Sequence, residues 1–353
     1  MLIVTPADRK PWQVALIYAG AIGLALLLST AFLALAGKDP VKVLATMFGG
    51  AFGTKYGLSE TLVRSVPLVL AGLGIALAAR MQLWNVGAEG QLYMGAFAAS
   101  GIALSLGEQL PAPVLLPLMA VAGIVAGGLW GLLPGLARAY WSTNETITTL
   151  LLNYVAINWV SYLVYGPWKD PKGFNFPLTA TFHINAWMPT LWGRVHSGLI
   201  VAILAAVLLY LVLGWTRWGF EIKVVGDSPR AAQYARISIT RNILLVMFTA
   251  GALAGLAGMM EVSGLIHRLQ HNISPGYGYT AIIVAYLARR HPLAILPVAF
   301  LFGGLQAGGY SVQTMGVPLA SAYMIQGALL FTVLAAEMLT RNQIRLHWRK
   351  EAA

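Results

Sequence analysis

The sequence predicts an all-α fold: a polytopic transmembrane helix bundle of about ten spans, some of them broken, in a single domain over residues 1–353 with a membrane-embedded core over 12–340. Three observations predict it. Of the 353 residues, 58% are hydrophobic and only 10% charged, where soluble globular chains carry about 25% charged residues. The apolar residues fall in run after run, each close to the ~20 residues that cross a bilayer. The runs do not alternate, which excludes a barrel of ~10-residue strands. Backbone groups in lipid must be satisfied within their own segment, so each run is a helix.

The elements follow in order. Residues 1–12 place Arg9 and Lys10 ahead of a long apolar run. That run exceeds the ~7–15 residues of a cleaved signal, so 13–36 is an uncleaved first span. Residues 38–60 mix Val41, Val43, Leu44, Met47 and Phe48 with Lys42 and Lys55, which suits a short helix lying in the interface. Spans are expected at 62–80, 88–107, 112–136 and 146–165. Residues 166–196 hold Trp168, Phe174, Phe176, Trp187 and Trp192 among several prolines. They read either as an aromatic interfacial belt or as a landing surface for a soluble partner. Further spans are expected at 197–214, 242–263, 273–288, 293–311 and 320–339. Glycine and polar residues interrupt 62–80, 88–107 and 273–288. The glycine-rich break before 88–98 is echoed before 279–287, and transporters often carry such internal repeats.

Charge sets the orientation. The formal charge of +11 does not call for nucleic acid, because the basic residues sit between apolar runs, where the positive-inside rule puts them. With the N-terminus in the cytoplasm, the inner side collects Arg9, Lys10, Arg80, Arg138, Arg217, Lys223, Arg230, Arg236, Arg241, Arg289, Arg290, Arg341, Arg345, Arg349 and Lys350. The loop 215–241 and the tail after Thr340 are densely basic, so both termini lie inside and 166–196 outside.

Several chemistries are excluded. Cysteine is absent, so there is no disulfide framework and no thiolate site. Gly37-Lys38 is followed by Asp39, and no phosphate-binding loop occurs. His267 and His271 sit four apart, a spacing that would align them on one helix face, but they lack a nearby acidic ligand, so no metal site is expected. No G-x-S-x-G elbow offers a nucleophile.

Four patterns carry the functional reading. Asn85-Val86-Gly87-Ala88-Glu89-Gly90-Gln91 packs three polar side chains beside two glycines between apolar runs. It reads either as unwound backbone beside a pathway or as a cytoplasmic turn in which Glu89 caps the next helix. Gly123, Gly127, Gly131 and Gly135 recur every fourth residue, a spacing that lets helix backbones approach; Gly251, Gly255 and Gly258 form a second small-residue face. The span after Asn144-Glu145-Thr146 contains Asn153, Tyr154 and Asn158. An unpaired amide in hydrocarbon costs several kcal/mol, so the two asparagines either bond to another helix or meet a solute. In the loop 219–237, Ser228 is a good N-cap and Pro229 fits the first helical position. Ala231, Ala232 and Ala235 give a short helix that is marginal alone, and Tyr234 and Ile237 offer it an apolar contact. Its occupant is a protein groove or lipid headgroups.

Residues 70–98, 144–155, 219–237 and 275–293 resemble the permeases of bacterial ABC importers of the ribose and simple-sugar class, and more narrowly the nucleoside-importer branch. The markers are Asn85 to Gln91, Glu145-Thr146-Ile147-Thr148-Thr149 with Leu152-Asn153-Tyr154, the loop 226–237, and Gly276-Tyr277-Gly278-Tyr279-Thr280. The resemblance covers most of residues 60–340. It implies a permease in the bacterial inner membrane with a second, related permease, an ATP-binding subunit with two nucleotide-binding domains, and a substrate-binding lipoprotein. ATP and magnesium would belong to the ATPase, with no cofactor in this chain. The resemblance implies a coupling helix within the loop 215–241, carried by Gly226, Ser228, Pro229, Ala231, Ala232, Tyr234 and Ile237. Arg236 departs from the pattern, which has glycine there. Substrate is expected to pass near Asn85, Glu89, Gln91, Asn153 and Tyr154, since amides suit hydroxyls and base edges. Two alternatives remain at this point: a simple-sugar permease, or an ion-gradient transporter using Glu89, Glu261 or Glu337.

Overall fold

The computed structural model describes residues 2–6, 10–318 and 320–346. Arg9, Arg349 and Lys350 lie outside the described residues, as do the side chains of Glu337, Arg341 and Arg345. The chain forms two compact units, one from the described parts of Met1–Ala51 and Leu305–Ala353, the other Phe52–Gly304.

In the first unit, α1 (Pro11–Leu35) and α2 (Pro40–Phe52) join the end of α12 (Pro292–Ser311), a 3₁₀ turn (Val312–Met315) and α13 (Ala320–Arg341). Leu33, Val43, Met47, Val312, Val317 and Ile325 make its core. Leu16, Leu24, Leu27 and Leu35 of α1 are exposed, as expected of a helix apolar all round that meets lipid. Two short strands, β1 (Leu2–Pro6) and β4 (Asn342–Leu346), pair antiparallel with Leu2 opposite Leu346.

The second unit is built on α3 (Lys55–Arg80) and α10 (Ile239–Glu261), the latter continued by a π-helical turn (Val262–Ile266). Around them lie α4 (Ala88–Leu106), α5 (Ala112–Trp141), α6 (Glu145–Tyr165), α7 (Gly198–Trp215), α8 (Arg217–Asp227), α9 (Pro229–Tyr234) and α11 (Tyr277–Leu287). The apolar stretch of α3 is 89% buried and that of α5 28%, which makes α3 central and α5 peripheral.

Close backbone approach fixes the heart of this unit. Gly127 of α5 lies against the Gly251 carbonyl and Gly255 of α10, and Gly131 against the Met247 carbonyl. Gly95 of α4 also faces Gly255, so three helices meet with almost no side chain between them. Gly123 adjoins Gly255 and Met259, and Gly135 adjoins Met247. This is small-residue packing inside one chain.

Eight helices among the described residues are long and apolar enough to cross a membrane. Two expected spans differ. The stretch 88–107 forms α4, whose 19 residues reach about 28 Å, but its polar start makes it less apolar than the eight. The stretch 273–288 does not span. Its helix α11 has 11 residues, about 16 Å, roughly half of a ~30 Å hydrocarbon core. The cause is local. Gly276 sits in the left-handed region (φ 91°), and the Ser274 hydroxyl accepts the Gly276 and Tyr277 N–H groups at 3.0 and 2.8 Å. These contacts start a helix there and leave 267–276 non-helical. Residues 38–60 are likewise divided: α2 ends at Phe52, and Thr54 caps α3 by accepting the Gly57 N–H at 2.9 Å.

The segment 166–196 includes a 3₁₀ turn (Ile184–Ala186) and two short antiparallel strands, β2 (Thr190–Trp192) and β3 (Val195–His196). It pairs with the non-helical stretch after α10. Thr179 N–H donates to the Leu269 carbonyl at 2.9 Å and Phe182 N–H to the His267 carbonyl at 2.8 Å.

Candidate functional site

The two glycine-rich breaks that echo one another in the sequence meet in space. Gly278, in the first turn of α11, lies against the backbone of Ala88 and Glu89 at the start of α4. Its N–H donates to Glu89 Oε2 at 2.7 Å. The Glu89 side chain therefore bridges the first turn of α4, which carries it, and the first turn of α11, whose N–H it accepts. Its bond caps α11 and not its own helix.

Asn85, Gln91 and Asn153 complete a buried knot. Asn85 Nδ2 donates to Gln91 Oε1 at 3.0 Å, and Gln91 Nε2 returns a bond to Asn85 Oδ1 at 3.1 Å. The same Asn85 oxygen accepts the Gly87 N–H at 3.0 Å. Asn153 Oδ1 accepts the Gly90 N–H at 2.8 Å, while its Nδ2 donates to the Val86 carbonyl at 2.9 Å and to the Tyr279 hydroxyl at 3.2 Å. Gly90 permits this, since a Cβ there would meet Asn153 at 2.8 Å. Asn85, Glu89, Gln91 and Asn153 are each no more than 3% exposed, whereas Tyr154 is 58% exposed. The structure thus brings four of the five expected pathway residues into one polar cluster and leaves Tyr154 on the open side of α6.

The cluster lies at depth. Glu145 opens α6, accepting the Trp84 N–H at 3.3 Å and pairing with Arg138 at 3.4 Å. Asn153 is eight residues further, about 12 Å along the helix. From that level α11 runs back toward Trp84, whose ring stacks on Tyr286 at 5.2 Å. The non-helical stretch 267–276 runs the other way along α6. His271 Nδ1 is 2.8 Å from Ser161 Oγ, and Tyr93 of α4 donates to the His271 carbonyl at 3.4 Å. Sequence reasoning missed Ser274, Tyr279 and His271 as members of this region. The echo between the two breaks was the available signal.

The second feature is α9. Ser228 Oγ accepts the Ala231 N–H at 3.3 Å and Pro229 takes the first helical position. The far end closes with Ile237 N–H on the Ala232 carbonyl at 2.9 Å and Arg236 N–H on the Gln233 carbonyl at 3.0 Å. This is a Schellman cap, with Arg236 at its left-handed position (φ 55°). Ala232 is buried, while Tyr234 is 92% exposed at the surface. Gly226 lies against the Arg80 carbonyl and Met81, which seats the end of α8 on the end of α3. Ile237 and Ser238 lead straight into α10, where Ser238 caps by accepting the Arg241 N–H at 3.3 Å.

An apolar bundle in which a half-length helix, α11, starts head to head with α4 at depth, with an exposed short helix between two spans, defines a multi-span membrane permease. The chain belongs to the family described as branched-chain amino acid transport system / permease component, which matches residues 57–334, and it is a transmembrane permease subunit of an ABC transporter. The glucose ABC transporter permease protein TsgB13 of Haloferax volcanii is 40% identical over 319 residues, 87% of this chain and 83% of its own. The guanosine ABC transporter permease protein NupP of Bacillus subtilis is 33% identical over 84% of this chain and 86% of its own. The nucleoside ABC transporter permease protein NupB of Lactococcus lactis is 32% identical over 89% of this chain and 88% of its own.

Proposed function

We propose that this chain is the permease of an ATP-driven nucleoside importer in a bacterial inner membrane, with both termini cytoplasmic. The observation that carries the coupling is α9, a capped six-residue helix that holds Tyr234 out at 92% exposure. A partner ATPase with two nucleotide-binding domains, holding ATP and magnesium, receives α9 in a groove. Closure of the ATPase pulls α9, and the cavity between this permease and a second, related one changes its open side. A substrate-binding lipoprotein delivers the solute at the outer face. The four buried residues Asn85, Glu89, Gln91 and Asn153 spend their hydrogen bonds on backbone, on one another and on the side chains of Ser274 and Tyr279. They hold the pathway's shape from behind, and Tyr154 meets the solute. The relatives NupP and NupB, named for guanosine and nucleosides, support the cargo class. A sugar cargo is the second reading, favoured by the 40% identity to TsgB13.

The test is uptake of labelled uridine, guanosine and glucose into proteoliposomes. The complex of this chain with its second permease, ATPase and binding protein should take up a nucleoside only with ATP. Glucose uptake alone would replace the first cargo by the second. Uptake by this chain alone on an ion gradient would overturn the ATP-driven reading.

A further inference from the structure

We infer that solute contacts a polar groove between the second half of α6 and the non-helical stretch 267–276, lined by Tyr154, Asn158, Ser161, Tyr165, His271 and Tyr279. This inference rests on the permease reading above and specifies where, and by what chemistry, the cargo is touched. Tyr154, Asn158, Ser161 and Tyr165 fall at i, i+4, i+7 and i+11, a single stripe about 16 Å long on one face of α6. Lipid is a poor neighbour for that stripe. Tyr154 and Tyr165 are 58% and 59% exposed, and Asn158 is exposed with its amide N–H on the Tyr154 carbonyl at 2.8 Å.

The second wall is independent evidence. Residues 271–276 run alongside α6 without helical hydrogen bonding, with His271 beside Ser161 at 2.8 Å and beside the Tyr165 ring at 5.9 Å. Irregular backbone at membrane depth is tolerated only inside protein or beside water. His271, Ser274, Pro275 and Gly276 are only half-buried and Asn272 is exposed, so the protein does not enclose this backbone fully. Water on the side facing the stripe satisfies both walls. At the inner end Tyr279 is 38% exposed, with its hydroxyl anchored by Asn153.

The groove's chemistry selects a neutral, ring-bearing, polyhydroxylated solute. It offers aromatic faces, hydroxyls, an amide and an imidazole, and none of its six side chains is a carboxylate, ammonium or guanidinium. Aromatic faces stack on a nucleobase or lie against a sugar ring, and the polar tips pair with hydroxyls.

The absence of native cysteine makes the test direct. Single cysteines would be placed by Asn158→Cys and Ser161→Cys, with Leu204→Cys on the exposed face of α7 as a lipid-facing control. The complete transporter in membranes would be treated with a charged, water-soluble thiol reagent and with a lipid-soluble maleimide, and labelling of this chain read by mass. The expected result is water-soluble labelling at positions 158 and 161 at least tenfold faster than at 204, slowed at least threefold by uridine, guanosine or glucose. Labelling by the maleimide alone places the stripe in lipid and overturns the inference. Labelling by neither reagent places it in a protein interface and does the same, as does water access that none of the three solutes slows. Uptake by the unmodified complex is measured in parallel. ATP-driven uptake with an inaccessible stripe sinks only this groove, whereas an accessible stripe without uptake sinks the cargo reading.

Discussion

Arg236 carries the clearest local strain in the loop 215–241. A non-glycine residue in the left-handed conformation costs about 1–2 kcal/mol, and the Schellman cap after α9 demands that conformation there. Glycine would relieve it while adding freedom to the opened state, for a net gain of roughly 0.5–1 kcal/mol. Arg236→Gly should therefore slow amide exchange across 228–237 by about two- to fivefold, as read by mass spectrometry. The expectation of glycine at 236 came from the family pattern, and the φ angle gives its physical cause. His196 makes a second residue-scale prediction. It is 1% exposed, with the Gly198 N–H on its Nδ1 at 3.2 Å and Gly264 against its ring. Burial, with His267 nearby, holds its pKa down to about 4. An opened segment would titrate near 6.5, so its folded state is unaffected above that value and loses stability as pH falls from 6.5 toward 4. At pH 5 the loss is about 2 kcal/mol. Exchange of residues 190–198, corrected for intrinsic rates, should accelerate between pH 7 and pH 5, and His196→Gln should flatten that dependence.

Helices α4, α5 and α10 meet through glycine. A side chain at 127 would strike the Gly251 carbonyl and the Gly255 backbone, atoms that no rotamer can move. Gly127→Val should force the helices apart and cost on the order of 3 kcal/mol, seen as a lower thermal aggregation midpoint in detergent. Gly20 is the contrast, since a Cβ there meets nothing within 4 Å. Gly20→Ala should leave the midpoint unchanged or raise it slightly, because alanine favours helix by roughly 0.5–1 kcal/mol. A glycine every fourth residue is visible in sequence because the helical period puts all four on one face. Gly95 has no companion at that spacing, so its place in the same contact was not legible. The shortness of α11 was hidden for a related reason. Its apolar composition resembles a span, and only the bonds from Ser274 and the φ of Gly276 decide where it begins.

At the scale of the molecule, the helical class was legible because lipid leaves the backbone few choices. The polar cluster was legible only as four residue types in unusual surroundings. Its closure depends on Gly278 and Tyr279, some 190 residues from Glu89 in the chain. The proposed coupling depends on what α9 meets outside this chain. Tyr234→Asp adds charge where the side chain is exposed, so folding and insertion should be unchanged, while ATPase co-purification and uptake fall at least tenfold. Wild-type levels of both would remove α9 from the coupling. The glycine contacts have a mechanical consequence. Only Ala235, Arg236, Ile237 and Ser238 separate the end of α9 from the start of α10, and α10 touches α4 and α5 backbone to backbone. No layer of pliable side chains lies between them to act as a bearing, so these three helices cannot slide past each other. In the proposed coupling, a tug on α9 turns them as one crank, and the throw of that crank ends at Glu89, against which the half-length α11 begins.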